Sequence, residues 1–254
     1  MDPGGYLQLR HHLLGGELQV AHPEGLVQGF PLQEGGKLHG LEYKGGVGEV
    51  RLFPGLLSPP AGLDFLRLPA EEGLHLVAFG EGALEALRAA FREEAKSLVL
   101  LSPILRRDAL LTAKLRALRF GLERGGVEGF ATIGRALFFG PLAAESEEVF
   151  QAWREGLDEE KVRLWLEQVE GLGDERRWLR GTKARVLVVQ GALDAFTPPH
   201  HGQEAADFAK GEALRFTLEG AGHFVPWEAW EEVRSLVADF LLGESFRLPG
   251  GLAL

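Results

Sequence analysis

One stretch constrains the fold more than any other. Residues 74–79, Leu-His-Leu-Val-Ala-Phe, form a largely apolar run that enters Gly80-Glu81-Gly82, after which Leu84, Leu87 and Phe91 recur at helical spacing. An apolar run, a glycine-flanked turn and a 3.6-residue period read as strand, sharp turn and helix. The same texture returns elsewhere. Residues 49–53 predict a strand running into Pro54-Gly55, residues 97–101 a buried strand ending at Ser102-Pro103, and residues 185–190 and 214–218 two more. A closing helix over 229–242 aligns Trp230, Val233, Val237 and Phe240 before Gly243 ends it.

Between residues 104 and 180 the character changes to charged, amphipathic helix. Asp158 can cap a helix in which Val162, Trp165, Leu166 and Val169 share a face. Charge runs such as Asp158-Glu159-Glu160 and Glu175-Arg176-Arg177 are solvated helix faces. Strands alternating with helices, interrupted once by a helical block, predict an α/β fold with a mostly parallel sheet and helices on both faces. The expected organisation is a core of residues 1–103 and 181–254 with a helical lid inserted over 104–180. The first fifty residues add short apolar stretches at 6–9, 18–21, 26–30 and 38–43, separated by glycine pairs and read as strands joined by turns.

Composition narrows the function classes. The 254 residues, 45% of them hydrophobic, suffice for one globular unit. Cysteine is absent, which excludes disulfides, thiolate metal sites and a cysteine nucleophile. Asparagine is also absent and methionine occurs only as Met1, a bias that suits a thermophile, although GC-rich codon usage produces a similar one. A net charge of −10 opposes binding to nucleic acid or anionic lipid. No apolar run is long enough to span a membrane, and Met1-Asp2-Pro3-Gly4-Gly5 lacks the basic and apolar regions of a leader, so a cytoplasmic protein is expected.

The last third carries the chemistry. Val186-Leu187-Val188-Val189-Gln190-Gly191-Ala192-Leu193-Asp194 is followed by Thr197-Pro198 and then by Leu218-Glu219-Gly220-Ala221-Gly222-His223-Phe224. A histidine takes a proton near neutral pH only when its tautomer is fixed, and a buried carboxylate both fixes it and stabilises the imidazolium. This pattern resembles lidded α/β-hydrolases such as proline iminopeptidases, carboxylesterases and enol-lactonases. The resemblance implies an α/β-hydrolase fold with Asp194 and His223 as the acid and base of a catalytic triad.

It also places the nucleophile elbow at Val77-Ala78-Phe79-Gly80-Glu81-Gly82-Ala83, where the family shows small-x-Ser-x-Gly. Ala78, Gly82 and Ala83 keep the small flanks, but Gly80 stands at the nucleophile position and has no side chain with which to attack. The oxyanion donors implied are the backbone N–H of Glu81 and, in the loop where the family usually has His-Gly, that of Leu56. A Glu81 side chain nearby could repel an oxyanion or pair with His223.

Between Gly55 and Leu74 the chain is shorter than in the family. A crossover to a parallel strand needs about ten or more residues. The family's fourth strand is therefore expected to be lost, with residues 59–72 forming one short helical crossover.

Three functions stay open: hydrolysis of a small ester, lactone or amide without a covalent step through the His223–Asp194 dyad; a non-catalytic relative binding a small apolar ligand; and a hydrolase whose nucleophile is displaced to Ser58. A fourth reading, an α/β domain with an interaction role, arises because trimming a helix exposes a sheet face on which copies could associate. No cofactor is expected. His11-His12 and His200-His201 lack companion carboxylates at ligand spacing and read as surface histidines, so no metal is expected either. Ser102 is read as capping a strand end. Phe130, Phe138, Phe139, Trp153 and Trp165 suit inner lid packing or an apolar pocket wall.

Overall fold

The computed structural model describes residues 48–59 and 62–243, together with the backbone of Lys37–Leu38 and Leu41–Glu42, which pair antiparallel. The strands expected at 6–9, 18–21 and 26–30, and His11-His12, lie outside the described residues; where one strand was expected over 38–43, the described residues instead form two short strands that pair with each other, Leu38 opposite Leu41.

Five strands form one parallel sheet in chain order: β1 Glu49–Phe53, β2 Leu74–Phe79, β3 Ser97–Leu101, β4 Arg185–Gly191 and β5 Ala213–Leu218. Side chains alternate across the pleat and so divide the interior in two. Val77, Phe79, Val99, Leu101, Leu187 and Val189 face one core, while Leu76, Ala78, Leu98, Leu100, Val186 and Val188 face the other. The second core is covered by α1, Ala83–Glu93, and α6, Pro199–Phe208. The first is covered by the closing helix α7, Trp230–Leu241, and by the helical block. In α1, Leu84 and Leu87 are buried as the periodicity predicts, but Phe91 is half exposed and meets Trp178 edge-on.

The block between β3 and β4 comprises α2 Ala109–Phe138, broken at Gly126, then α3 Pro141–Glu145, α4 Glu147–Glu155 and α5 Glu159–Glu170. Side-chain caps start three of these helices: Asp108 accepts from the Leu111 N–H, Ser146 from Val149 and Asp158 from Lys161. As expected, α5 buries Val162, Trp165, Leu166 and Val169. A 3₁₀ turn, Glu175–Arg180, leads back to the sheet.

The link from β1 to β2 holds no strand among the described residues. Its only regular element there is a single 3₁₀ turn, Asp64–Leu66, so the crossover is shorter than the helix expected over 59–72. Leu63, Leu66 and Leu68 pin it to the first core. No helix among the described residues is long and apolar enough to cross a membrane.

Register brings every segment of chemical interest to one edge. Phe53 pairs with Ala78, Phe79 with Leu101, Leu101 with Val189 and Gly191 with Leu218. The loops leaving the carboxyl ends of β1, β2, β4 and β5 therefore present Leu56, Gly80-Glu81, Asp194 and His223 side by side, the place where open parallel sheets bind ligands.

Candidate active site

The turn after β2 keeps the backbone of an elbow. Gly80 has φ of 57°, a left-handed conformation that glycine adopts at no steric cost. A Cβ built on Gly82 would lie 2.3 Å from the Phe53 carbonyl oxygen, which explains the small flank. At Gly80 a Cβ meets only His223 Nε2 and Ile104 Cδ1 within 4 Å, each at 3.9 Å. The position at which the resemblance implies a nucleophile thus has room for a Cβ, and His223 faces it.

β4 ends in Gly191, and the turn beyond it carries Asp194 inward. Its Oδ1 accepts the N–H groups of Phe196 and Thr197 at 2.9 and 2.8 Å. Its Oδ2 accepts Thr197 Oγ1 at 2.8 Å, Gln190 Nε2 at 2.8 Å and His223 Nδ1 at 2.9 Å. Thr197 Oγ1 also lies 3.0 Å from Nδ1, but its proton is committed to the carboxylate. The imidazole proton therefore sits on Nδ1, leaving Nε2 as an acceptor aimed at the residue-80 position. Both members of the pair are buried, and the His223 backbone N–H is held by the Phe138 carbonyl at 2.8 Å.

The two expected oxyanion donors are found together, but they are already occupied. The Leu56 N–H donates to the Glu81 carboxylate, and the Glu81 N–H bonds to the same group. Burial pushes the Glu81 carboxyl above its ordinary range, opposed by those two N–H groups, by the Trp165 side chain and by His223. The side chain that could repel an oxyanion thus lies against the two N–H groups expected to be its donors.

Aromatic rings fill the remaining space. The Phe79, Phe138 and Phe196 ring centroids lie 5.3, 5.8 and 5.1 Å from that of His223. What is left is a cavity of about 10 Å³, room for a single water, lined by Leu57, Phe79, Glu81, Phe138, Trp165, His223 and Phe224. Of the aromatics read as wall or packing, Phe138 and Trp165 reach this cavity. Phe130, Phe139 and Trp153 are buried in the packing behind it.

Several expected residues behave differently. Ser58 Oγ is buried without a hydrogen-bond partner, so it does not join His223. Ser102 Oγ is likewise unpartnered, so the side chain caps nothing; the residue has φ of 42° and its N–H donates to the Val189 carbonyl. His200 and His201 do have a companion carboxylate, Asp108, which the fold brings from 92 and 93 residues away.

Residues that the sequence reading passed over include Gln190 and Glu228. Gln190 is a polar side chain closing an apolar strand, and that contrast was its signal. Glu228 accepts the N–H groups of Gly140 at 2.8 Å and Gly222 at 3.1 Å, joining the helical block to the histidine loop. Burial pushes its carboxyl up to about 7, with nearby Asp194 adding to the shift and the two N–H groups opposing it.

A parallel sheet with the Gly80 turn and the Asp194–His223 pair at its carboxyl edge defines the class: the chain has the α/β-hydrolase fold. More particularly, residues 168–246, which hold both members of the pair, match the α/β-hydrolase family described as TAP-like protein. Among solved structures the chain is similar to a bromoperoxidase from Bacillus anthracis, with 18% identity, a TM-score of 0.58 and 70% of each chain covered. A thermophilic esterase from Thermogutta terrifontis shows 21% identity and a TM-score of 0.57, over 66% of this chain and 64% of that one. A serine hydrolase from Cycloclasticus zankles shows 18% identity and a TM-score of 0.54, over 66% and 63%. The chain spans 66% and 64% of the lengths of two similar structures from Mycobacterium tuberculosis, just under two thirds. At these identities the likeness is one of fold. No curated protein matches the chain in sequence.

Proposed function

We propose that the chain is a hydrolase of small ester, lactone or amide substrates that attacks with water directly, using His223 as general base, instead of through a covalent serine intermediate. The observation that carries this reading is the aim of His223. Its Nε2 is an acceptor 3.9 Å from the Cβ position of residue 80, and Asp194 holds the ring. Water in that space would give its proton to Nε2 while its oxygen attacks the substrate carbonyl carbon. The carbonyl oxygen, becoming an oxyanion, would take the Leu56 and Glu81 N–H groups once the Glu81 carboxyl has turned away. Collapse would expel the leaving group, which regains the proton from His223.

Without a nucleophile, a triad site keeps roughly 10³ to 10⁴ over water, so turnover is slow. Residues 104–180 act as the lid in this reading. Lifting the whole block would expose Phe130, Phe138, Trp153 and Trp165 at roughly 2–3 kcal/mol each. Entry by local displacement of Glu81 and its aromatic neighbours costs less. The cysteine- and asparagine-free composition supports a cytoplasmic, thermophilic setting.

The decisive measurement is turnover of an ester, lactone and amide panel by wild type and His223→Ala. A loss of about 10²-fold or more in the variant is expected, and an unchanged rate would exclude the mechanism. The small size of the cavity favours a second reading, a non-catalytic protein with the dyad retained as structure, which would take a small apolar ligand only by displacing the same aromatic neighbours. That reading predicts no turnover by wild type but saturable quenching of tryptophan fluorescence by such ligands, since Trp165 lines the cavity. A displaced nucleophile at Ser58 is tested by fluorophosphonate labelling and intact mass. No adduct is expected, because its hydroxyl has no base beside it.

A further inference from the structure

Away from the dyad, the start of the helical block meets the start of α6. Asp108 caps α2 through Oδ1, which accepts the Leu111 N–H at 2.7 Å, and this leaves Oδ2 for other partners. Two imidazoles converge on that oxygen: His201 Nε2 at 3.1 Å and His200 Nε2 at 3.5 Å. One ligand atom from each of the three residues lies within 4.8 Å of the other two. The histidine rings stand 4.5 Å apart between centroids.

The two histidine-to-carboxylate separations, 3.1 and 3.5 Å, are close to those between neighbouring ligands of a bound ion. With metal–ligand bonds of about 2.1 Å, adjacent ligands lie roughly 3.0 Å apart in an octahedron and roughly 3.4 Å apart in a tetrahedron. Hydrogen bonding accounts well for His201 but leaves His200 at the outer limit of a bond. We infer that Asp108, His200 and His201 form a binding site for a divalent transition-metal ion of the zinc type, linking the helical block to the core.

One carboxylate with two imidazoles suits zinc, cobalt or nickel, whereas calcium and magnesium need a shell of oxygens. The His200 side chain is half exposed, so an ion can enter from solvent and keep water at its remaining positions. The cation paired most directly with this oxygen is Arg106, whose Nη1 lies 3.9 Å from Asp108 Oδ2, while Lys114 feels Asp108 but donates to the Phe196 carbonyl. Arg106 is drawn away by Glu204, which binds the guanidinium through two 2.6 Å hydrogen bonds and is itself shared with Arg176.

The test uses the full chain, stripped with chelator and titrated with Zn²⁺ alone, and with Co²⁺ as a coloured probe. One ion per chain is expected, with visible Co²⁺ bands. The melting temperature should rise by roughly 5 °C at a hundredfold excess over Kd, while Mg²⁺ and Ca²⁺ shift nothing. His200→Ala, a change at an exposed side chain, and His201→Gln should each weaken binding by more than about tenfold. Absence of saturable binding by the folded chain would overturn the site. So would binding to both folded variants with wild-type affinity, since that places the ion on other histidines.

Discussion

Gly80 and Glu81 are neighbours in sequence but pose separate obstacles to covalent chemistry. On the proposed reading Gly80 offers no nucleophile and the Glu81 carboxyl occupies the N–H groups assigned to an oxyanion, so changing either alone should restore little. A serine at position 80 would have Cβ 3.9 Å from His223 Nε2, and its backbone strain in the left-handed region is about 1 kcal/mol. Gly80→Ser is therefore expected to fold and to show esterase activity barely above background. Adding Glu81→Ala frees both N–H donors. A hole donor is worth on the order of 10² to 10³ in rate, so p-nitrophenyl acetate hydrolysis by the double variant should exceed that of Gly80→Ser by about that factor. Equal rates would mean that the carboxyl does not block the hole. This pairing shows what sequence can and cannot convey at a single position. That Gly80, Asp194 and His223 would lie together was legible because each follows a strand in a recognisable short pattern. The occupation of the hole by Glu81 was not, because it depends on where the loop 25 residues earlier places the Leu56 N–H. Asp108 was equally hidden as the partner of His200 and His201, for a larger separation in sequence.

The elements themselves were mostly written in local periodicity. All five strands of the parallel sheet fall where apolar runs predicted them, and α5 buries the face its spacing indicated. Two features escaped. Among the described residues the crossover after β1 collapsed to a single 3₁₀ turn, because leucines pinned to the core leave too little chain for a helix. The long element α2 was not resolved from its neighbours, because its break is a matter of one residue's backbone conformation. Gly126 has φ of 60° and ψ of −152°, a region open essentially to glycine, while a Cβ there would touch nothing within 4 Å. Gly125 also has open space around it, without a left-handed φ. The adjacent substitutions should thus act in opposite directions. Gly126→Ala should destabilise by about 1–3 kcal/mol from backbone strain alone, and Gly125→Ala should be neutral or stabilise by up to about 1 kcal/mol through helix propensity. Urea denaturation of the two variants decides it. Equal shifts would show that the break in α2 does not depend on Gly126.

At the scale of the molecule, the helical block and the sheet are joined by a buried carboxyl, and that joint makes stability depend on pH. Glu228 bonds Gly140 at the start of α3 and Gly222 beside His223, and its carboxyl is pushed from 4.5 up to about 7. A raised carboxyl binds its proton more tightly in the folded chain than in the unfolded one. Its favourable contribution is therefore complete below about 4.5 and is lost as pH rises through about 7. The burial of Glu81 shifts its carboxyl in the same direction. Asp108 works the other way. Burial raises its carboxyl, but the Leu111 N–H and the two histidines outweigh that and hold it at about 2, so its contribution is lost only as pH falls through that range. The two windows do not overlap, and Glu228→Gln separates the first from everything else. Glutamine keeps an acceptor for the two N–H groups and does not titrate. Between pH 4.5 and pH 8 the unfolding free energy of wild type relative to Glu228→Gln should fall by up to ~3 kcal/mol. The variant would thus gain ground as the solution becomes alkaline. Denaturant midpoints measured at the two pH values for both proteins provide the test. Parallel changes would show that Glu228 titrates alike in the folded and unfolded chain, and that the joint between block and sheet owes nothing to its protonation.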